Sequence, residues 1–152
     1  MKSLLLLALT AELAFSCIPG YETYYGGICI TTKSRGEWCI ADNFDDEMHN
    51  CEADSTRLLE IKSQQNENDI IDLVNSHYGG TAPYLGLDCA NGHFVWRDGT
   101  ALTYKNPSLD NSCSGATRLI LNPKSRKWEG INILYSCMAI CQDRIDNGFS
   151  RL

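Results

Sequence analysis

Tyr84-Leu85-Gly86-Leu87, a short polar interruption, and then Phe94-Val95-Trp96-Arg97-Asp98-Gly99 form the stretch around which this chain is organised. The first run is apolar and broken by one Gly, the pattern of a buried strand that another backbone approaches closely. The second run alternates before an Asp-Gly pair, the pattern of a half-buried strand entering a turn. The stretch therefore reads as two strands meeting at turns.

Upstream, the period of the apolar residues changes. Ile70, Ile71 and Val74 supply one helical face, Ser63-Gln64-Gln65-Asn66-Glu67 marks that helix's start, and Gly79-Gly80 ends it. Leu58-Leu59-Glu60-Ile61 reads as a short strand or connector. Before it, Phe44, Met48 and Cys51 recur at helical spacing, with Asp45, Asp46, Glu47, His49 and Asn50 on the other face. Asn43 is the expected cap, and the acidic residues sit near the positive N-terminal end. Lys33 to Trp38 reads as a polar connection after a β-branched strand, Ile28-Cys29-Ile30-Thr31-Thr32, and Cys17 to Cys29 as an N-terminal hairpin.

Downstream come Ala101–Tyr104, a loop Lys105–Ser114, a strand over Thr117–Leu121 and a turn at Asn122-Pro123-Lys124-Ser125. Lys127-Trp128-Glu129 and Met138–Gln142 read as the last two strands, and Asp143–Leu152 as a polar, frayed tail. Two early helices followed by strands give an α+β class.

The chain has 152 residues, 43% of them apolar, and a formal charge of −6, which fits one globular domain. The acidic balance excludes nucleic acid as a partner, because phosphate binding needs clustered Lys and Arg. Lys124-Ser125-Arg126-Lys127 is the nearest approach and reads as a solvated turn. Met1-Lys2-Ser3, the apolar Leu4–Leu9 and the small-x-small Ala14-Phe15-Ser16 have the order of a secretory signal, residues 1–16, cleaved after Ser16. That apolar run falls short of the ~20 residues a membrane helix needs. Membrane insertion is thus not expected, and the mature protein is expected to be secreted and extracellular.

All eight Cys (17, 29, 39, 51, 89, 113, 137 and 141) lie in the expected mature part. An even number in an oxidising compartment makes disulfides the expectation; the metal alternative, through Cys89 and His93 or Cys137 and Cys141, lacks a paired C-x-x-C arrangement. No catalytic motif is present: there is no G-x-S-x-G, H-E-x-x-H or P-loop, and His49, His77 and His93 have no partner constellation. The Asp45-Asp46-Glu47 run places neighbouring carboxylates in different directions on a helix, which suits a solvated helix start. An enzyme is not expected.

The ordered set of features resembles the long form of the C-type lectin domain from Cys17 to Cys141. That family carries a Trp-Ile-Gly-Leu strand, here with Tyr84-Leu85 in place of Trp-Ile, and a Trp-x-Asp-Gly turn, here Trp96 to Gly99. Phe44 stands where the family usually has the Trp that opens the first helix, and Trp128 matches the Trp of the Trp-Asn-Asp motif. The resemblance implies two helices and two small antiparallel sheets, disulfide-stapled, over residues 17–142. It also implies the extra N-terminal pair Cys17–Cys29 and the helix-to-last-strand pair Cys51–Cys141. In the family the partner of Cys113 usually lies near Ile133, whereas Cys137 is displaced toward the last strand. Two pairings remain open: Cys39–Cys137 with Cys89–Cys113, or Cys39–Cys89 with Cys113–Cys137. The first fits a connection carrying Cys39 past the start of the last strand and would staple the long loop.

In sugar-binding members a Glu-Pro-Asn or Gln-Pro-Asp tripeptide and the Asn-Asp after the Trp hold Ca²⁺ and sugar together. Ca²⁺ takes six to eight oxygens. Here Trp128 is followed by Glu129-Gly130, and Asn106-Pro107-Ser108 is the nearest tripeptide, early in a shortened loop. Glu129 is the only matching ligand; Asp110 and Asn111 could add oxygens, or be solvated loop residues. Asn106, Asp110, Asn111 and Glu129 are the candidate ligand-binding residues, with no cofactor expected and calcium doubtful at the usual site. Trp96 and Trp128 are expected in the core. The resemblance implies a recognition module for a glycan or an extracellular protein surface, with a role in defence. The alternative is a structural matrix component or a toxin-like, protein-binding domain that binds no sugar.

Overall fold

A computed structural model describes residues 17, 19–24, 28–115 and 117–143. The expected signal segment 1–16 and all of the expected tail after Asp143 lie outside the described residues. Strand β1 (Glu22–Tyr24) pairs antiparallel with β2 (Ile28–Trp38), which forms the expected N-terminal hairpin. Helix α1 (Ala41–Ala53), β3 (Arg57–Leu58), helix α2 (Gln64–His77) and β4 (Ala82–Pro83) follow. The remaining strands are β5 (Leu87–Ala90), β6 (His93–Trp96), β7 (Leu119–Asn122), β8 (Lys127–Gly130) and β9 (Ser136–Gln142).

The last strand is the spine. β9 pairs along one edge with β2, and along the other in parallel with β4 and antiparallel with β3. β5–β6 and β7–β8 are two further antiparallel ribbons, so two helices and small sheets make the α+β, C-type-lectin-like fold. Residues 137–142 of β9 are all buried, as its continuous apolar run requires of a strand covered on both faces. Successive side chains then serve opposite sides. Met138 and Ile140 pack with Ile70, Ile71, Val74, Leu85, Trp96 and Trp128; Cys137, Ala139 and Cys141 pack with Phe44, Leu58, Tyr84 and Ile120. The two cores share one strand as their wall.

The opening stretch divides differently from its reading. Tyr84 to Gly86 runs as a single-stranded bridge through the core, with Tyr84 opposite Ile120, and the regular strand starts at Leu87. The tight turn between β5 and β6 is Asn91-Gly92, both at positive φ (52° and 79°), which is the geometry that suits the twist of a two-residue hairpin. Gly86 satisfies the close-approach reading: a Cβ there would lie 2.6 Å from Leu58 O. Ala101–Tyr104 contributes one antiparallel bridge, Val95 to Ala101.

Two local expectations are corrected. Lys33–Trp38 is the second half of β2, paired to β9 with two register shifts; backbone pairing carries a strand whose polar composition reads as a connection. Asn43 does not cap α1, which begins after Ile40, and its side-chain amide donates to Trp38 O at 2.8 Å. The end of β2 and the Cys39 bridge fix where this helix starts, so no side-chain cap is needed. Helix α2 follows its sequence signals: Ser63 Oγ accepts from Asn66 N at 3.0 Å, and Gly80 N closes onto Val74 O with φ +75°.

Four disulfides join Cys17–Cys29, Cys39–Cys137, Cys51–Cys141 and Cys89–Cys113. Asp143, the first residue of the tail segment, is buried, and its N–H donates to Cys29 O at 2.8 Å.

Candidate functional site

The loop after β6 is held down at three points. Cys113 is bridged to Cys89, and its N–H donates to Gly92 O at 3.1 Å. Leu109 is buried, and Asn106 is 5% exposed. Only short pieces between these anchors reach solvent.

Asn106 is the first of the four sequence-derived candidates, and its whole side chain is engaged inside the protein. Its amide donates to Glu67 Oε1 and to Arg126 O, both at 2.9 Å, while its carbonyl accepts from Ser108 N at 3.0 Å and Ser108 Oγ at 2.6 Å. Ser108 Oγ in turn accepts from Trp128 N at 3.0 Å. The Asn106-Pro107-Ser108 tripeptide is thus a clasp that fastens the loop to β8, an Asx-type turn with its oxygen directed at its own backbone. Asp110 and Asn111 are exposed, and Asn111 Oδ1 accepts from Lys105 Nζ.

Glu129 is half-buried on β8, where Asn122 Nδ2 donates to its Oε1 at 2.7 Å. The neighbouring Glu129 carboxylate holds the Tyr135 phenol above its ordinary pKa. Trp128 and Trp96 are core residues, 2% and 1% exposed, packed edge to face with centroids 5.8 Å apart.

Glu67 is the residue the sequence reading left unassigned. It is 2% exposed on α2, yet its carboxylate collects Trp128 Nε1 at 2.9 Å, Tyr104 OH at 3.1 Å and the Asn106 amide. Burial, reinforced by that carboxylate, pushes the Tyr104 phenol up to about 12. An acidic residue in the first turn of a helix reads as a complement to the positive N-terminal end, which hides its inward direction.

These residues do not fit a calcium cage. Asn106 has no free oxygen, Glu129 Oε1 already serves the Asn122 amide, and position 130 is a Gly. Among the described residues no three His, Cys, Asp or Glu side chains converge as a metal-holding group. His49, His77 and His93 are exposed.

The two-core fold and the stapled loop define a recognition domain of the C-type-lectin-like class. The sequence model of the Lectin C-type domain matches residues 40–143, more than half of the chain. The chain belongs to the C-type lectin domain family. Its fold is similar to that of a calcium-independent type II antifreeze protein, with 20% identity, TM-score 0.63, and 84% of this chain and 94% of that chain covered. It is also similar to SPL-1, solved as a GlcNAc complex, at 16% identity and TM-score 0.62, covering 85% and 96%. The carbohydrate-recognition domain of the human scavenger receptor C-type lectin shares 20% identity at TM-score 0.59, covering 84% and 98%. Comparison with curated protein sequences finds no match.

Proposed function

We propose that this chain is a secreted, non-enzymatic lectin-type recognition module that binds a glycan without calcium. The observation that carries the reading is Glu129: the one acidic side chain at the position where calcium-dependent members hold the ion is tied to Asn122. Glycan binding draws further support from the fold shared with SPL-1, whose structure holds GlcNAc, and calcium independence from the fold shared with an antifreeze protein described as calcium-independent. Four disulfides suit an oxidising, extracellular compartment. No described helix is long and apolar enough to cross a membrane.

A glycan array probed with the product of the full chain secreted from eukaryotic cells tests this, once with millimolar Ca²⁺ and once with EDTA. Equal binding in both is the expected result. Binding abolished by EDTA overturns calcium independence, and no binding in either arm moves the module to a protein surface. N-terminal sequencing of the same product is expected to start at Cys17.

A further inference from the structure

Trp38, Ile133 and Leu134 are the exposed large apolar side chains among the described residues, at 64%, 61% and 81%. They fall in one place. Trp38 is the directly opposed partner of Ser136 in the β2–β9 register, and Cys39 N donates to Tyr135 O at 3.3 Å, so the two chain segments run side by side. Directly opposed residues of an antiparallel pair share a face, which puts the indole beside Ser136. Ile133 and Leu134 form the tip of a turn built on Asn132, whose side chain accepts from Leu134 N at 2.9 Å and whose carbonyl accepts from Tyr135 N at 2.9 Å.

A cavity of about 310 Å³ opens on the other side of Ser136. Its walls are Gly79–Ala82 after α2, Asn122–Lys124 in the β7–β8 turn, and Leu134–Ser136 before β9. That volume is at the small end of the range for small-molecule sites, roughly 300 to 1,000 Å³. The walls mix hydroxyls of Thr81, Tyr135 and Ser136 and the Lys124 ammonium with the apolar Pro123 and Leu134. A ligand that suits both needs one apolar face and a rim of hydroxyl groups. A pyranose ring has that shape: its C–H face lies on an aromatic or aliphatic side chain while its hydroxyls hydrogen-bond around it.

We propose that this cavity, with Trp38 as its outer platform, is the glycan site of the domain and takes a terminal pyranose residue. The proposal rests on the glycan-binding reading above and relocates the contact away from the Asn106–Cys113 loop. The backbone that carries Trp38 is fixed before any ligand arrives. Trp38 O accepts from Ile40 N at 2.9 Å, Asn43 Nδ2 at 2.8 Å and Tyr84 OH at 3.4 Å, and the next residue is bridged to Cys137. Preorganisation of this kind lowers the entropic cost of binding. A large aromatic left at a surface is also the residue type that most often dominates binding energy.

The test has two parts, both on the secreted full-length product. Amide NMR spectra are recorded with glucose, galactose, mannose, fucose and N-acetylglucosamine, each at tens of millimolar. Shifts at Gly79–Ala82, Leu134–Ser136 and the Trp38 indole are expected for at least one sugar. On the glycan array, Trp38→Ala and, independently, the cavity-filling Ser136→Trp are expected to lose binding by roughly tenfold or more. Both positions are exposed, so each variant's fold is checked by its unchanged amide spectrum elsewhere. Shifts confined to Asn106–Cys113 and Glu129–Gly130, or array binding by both variants equal to the parent's, would overturn this site and leave the lectin reading standing. A parent that binds no glycan on the array would overturn both.

Discussion

Trp128 Nε1 donates to Glu67 Oε2 at 2.9 Å across 61 residues of sequence, joining the centre of β8 to the first turn of α2 inside the larger core. Tyr104 and Asn106 bring their donors to the same carboxylate. One buried acid therefore sets the height of the long loop, the strand beneath it and the helix below. Glu67→Gln tests how completely that acid is used. An amide keeps the shape but turns one oxygen into a donor, which then faces either the Asn106 amide or the Trp128 and Tyr104 hydrogens. A loss of about 1–3 kcal/mol is expected, the range for a buried polar group left without its partner. Urea unfolding at neutral pH measures it; an unchanged midpoint would mean that the network contributes nothing net.

Gly86 sits where the bridge segment crosses the connector between α1 and α2. Its N–H donates to Leu59 O at 2.8 Å, and its carbonyl accepts from Arg97 N at 2.9 Å, so the chain is fixed on both sides. A Cβ would stand 2.6 Å from Leu58 O and 3.3 Å from Leu59 O, and backbone cannot swing aside as a side chain can. Gly86→Ala is therefore expected to destabilise the fold by about 1–3 kcal/mol or more, the cost of overpacking. Thermal unfolding is the measurement, with Gly115→Ala, which meets no atom within 4 Å, as the control.

These two residues mark what sequence can and cannot carry. Gly86 was legible because a lone Gly in an apolar strand has few other reasons to be there. The helix ends at Ser63 and Gly79-Gly80 were legible because caps are local chemistry. The second half of β2 was not: whether Lys33–Trp38 pairs depends on β9, about a hundred residues away, and not on its own composition. Glu67 was illegible for a related reason. Its inward direction is set by Trp128, Tyr104 and Asn106, none of them its neighbours in sequence. For the candidate site, the replacement of the family's Asn-Asp by Glu129-Gly130 is plain in the sequence itself. The clasp role of Asn106 needed the fold.

Asp98 predicts an acid-sensitive turn. Burial by itself would raise its pKa. The hydrogen bonds from the Thr100 hydroxyl and N–H, with the charge of Lys62, outweigh that and hold the carboxyl down at about 2. Its pKa being lower folded than unfolded, it stabilises the protein above about pH 4, and that contribution disappears as pH falls through about 2. Glu60 works in the opposite sense: burial pushes it up despite the Arg57 guanidinium beside it, so its cost in the fold is relieved on acidification. Asp98→Ala is expected to cost about 2 kcal/mol at pH 6 and less as the pH approaches 2. Urea midpoints of parent and variant from pH 6 to pH 2 should converge; parallel curves would exclude Asp98 as the titrating group.

The four disulfides should not be equal in stability. Cys51–Cys141 ties α1 to β9 across 90 residues, while Cys89–Cys113 closes only 24. On the chain-entropy account, cross-links of these lengths are worth about 4.6 and 3.5 kcal/mol. Position widens the gap. Cys51 and Cys141 are fully buried between Phe44, Leu58 and Ala139, so removing them also opens a void in the smaller core, whereas Cys89 and Cys113 are half-buried at the loop's edge. Cys89→Ala with Cys113→Ala is expected to give a folded product with a lowered midpoint and altered loop amides. Cys51→Ala with Cys141→Ala is expected to give little or no secreted product. The reverse order would mean that the long loop, not the α1–β9 junction, holds the fold together.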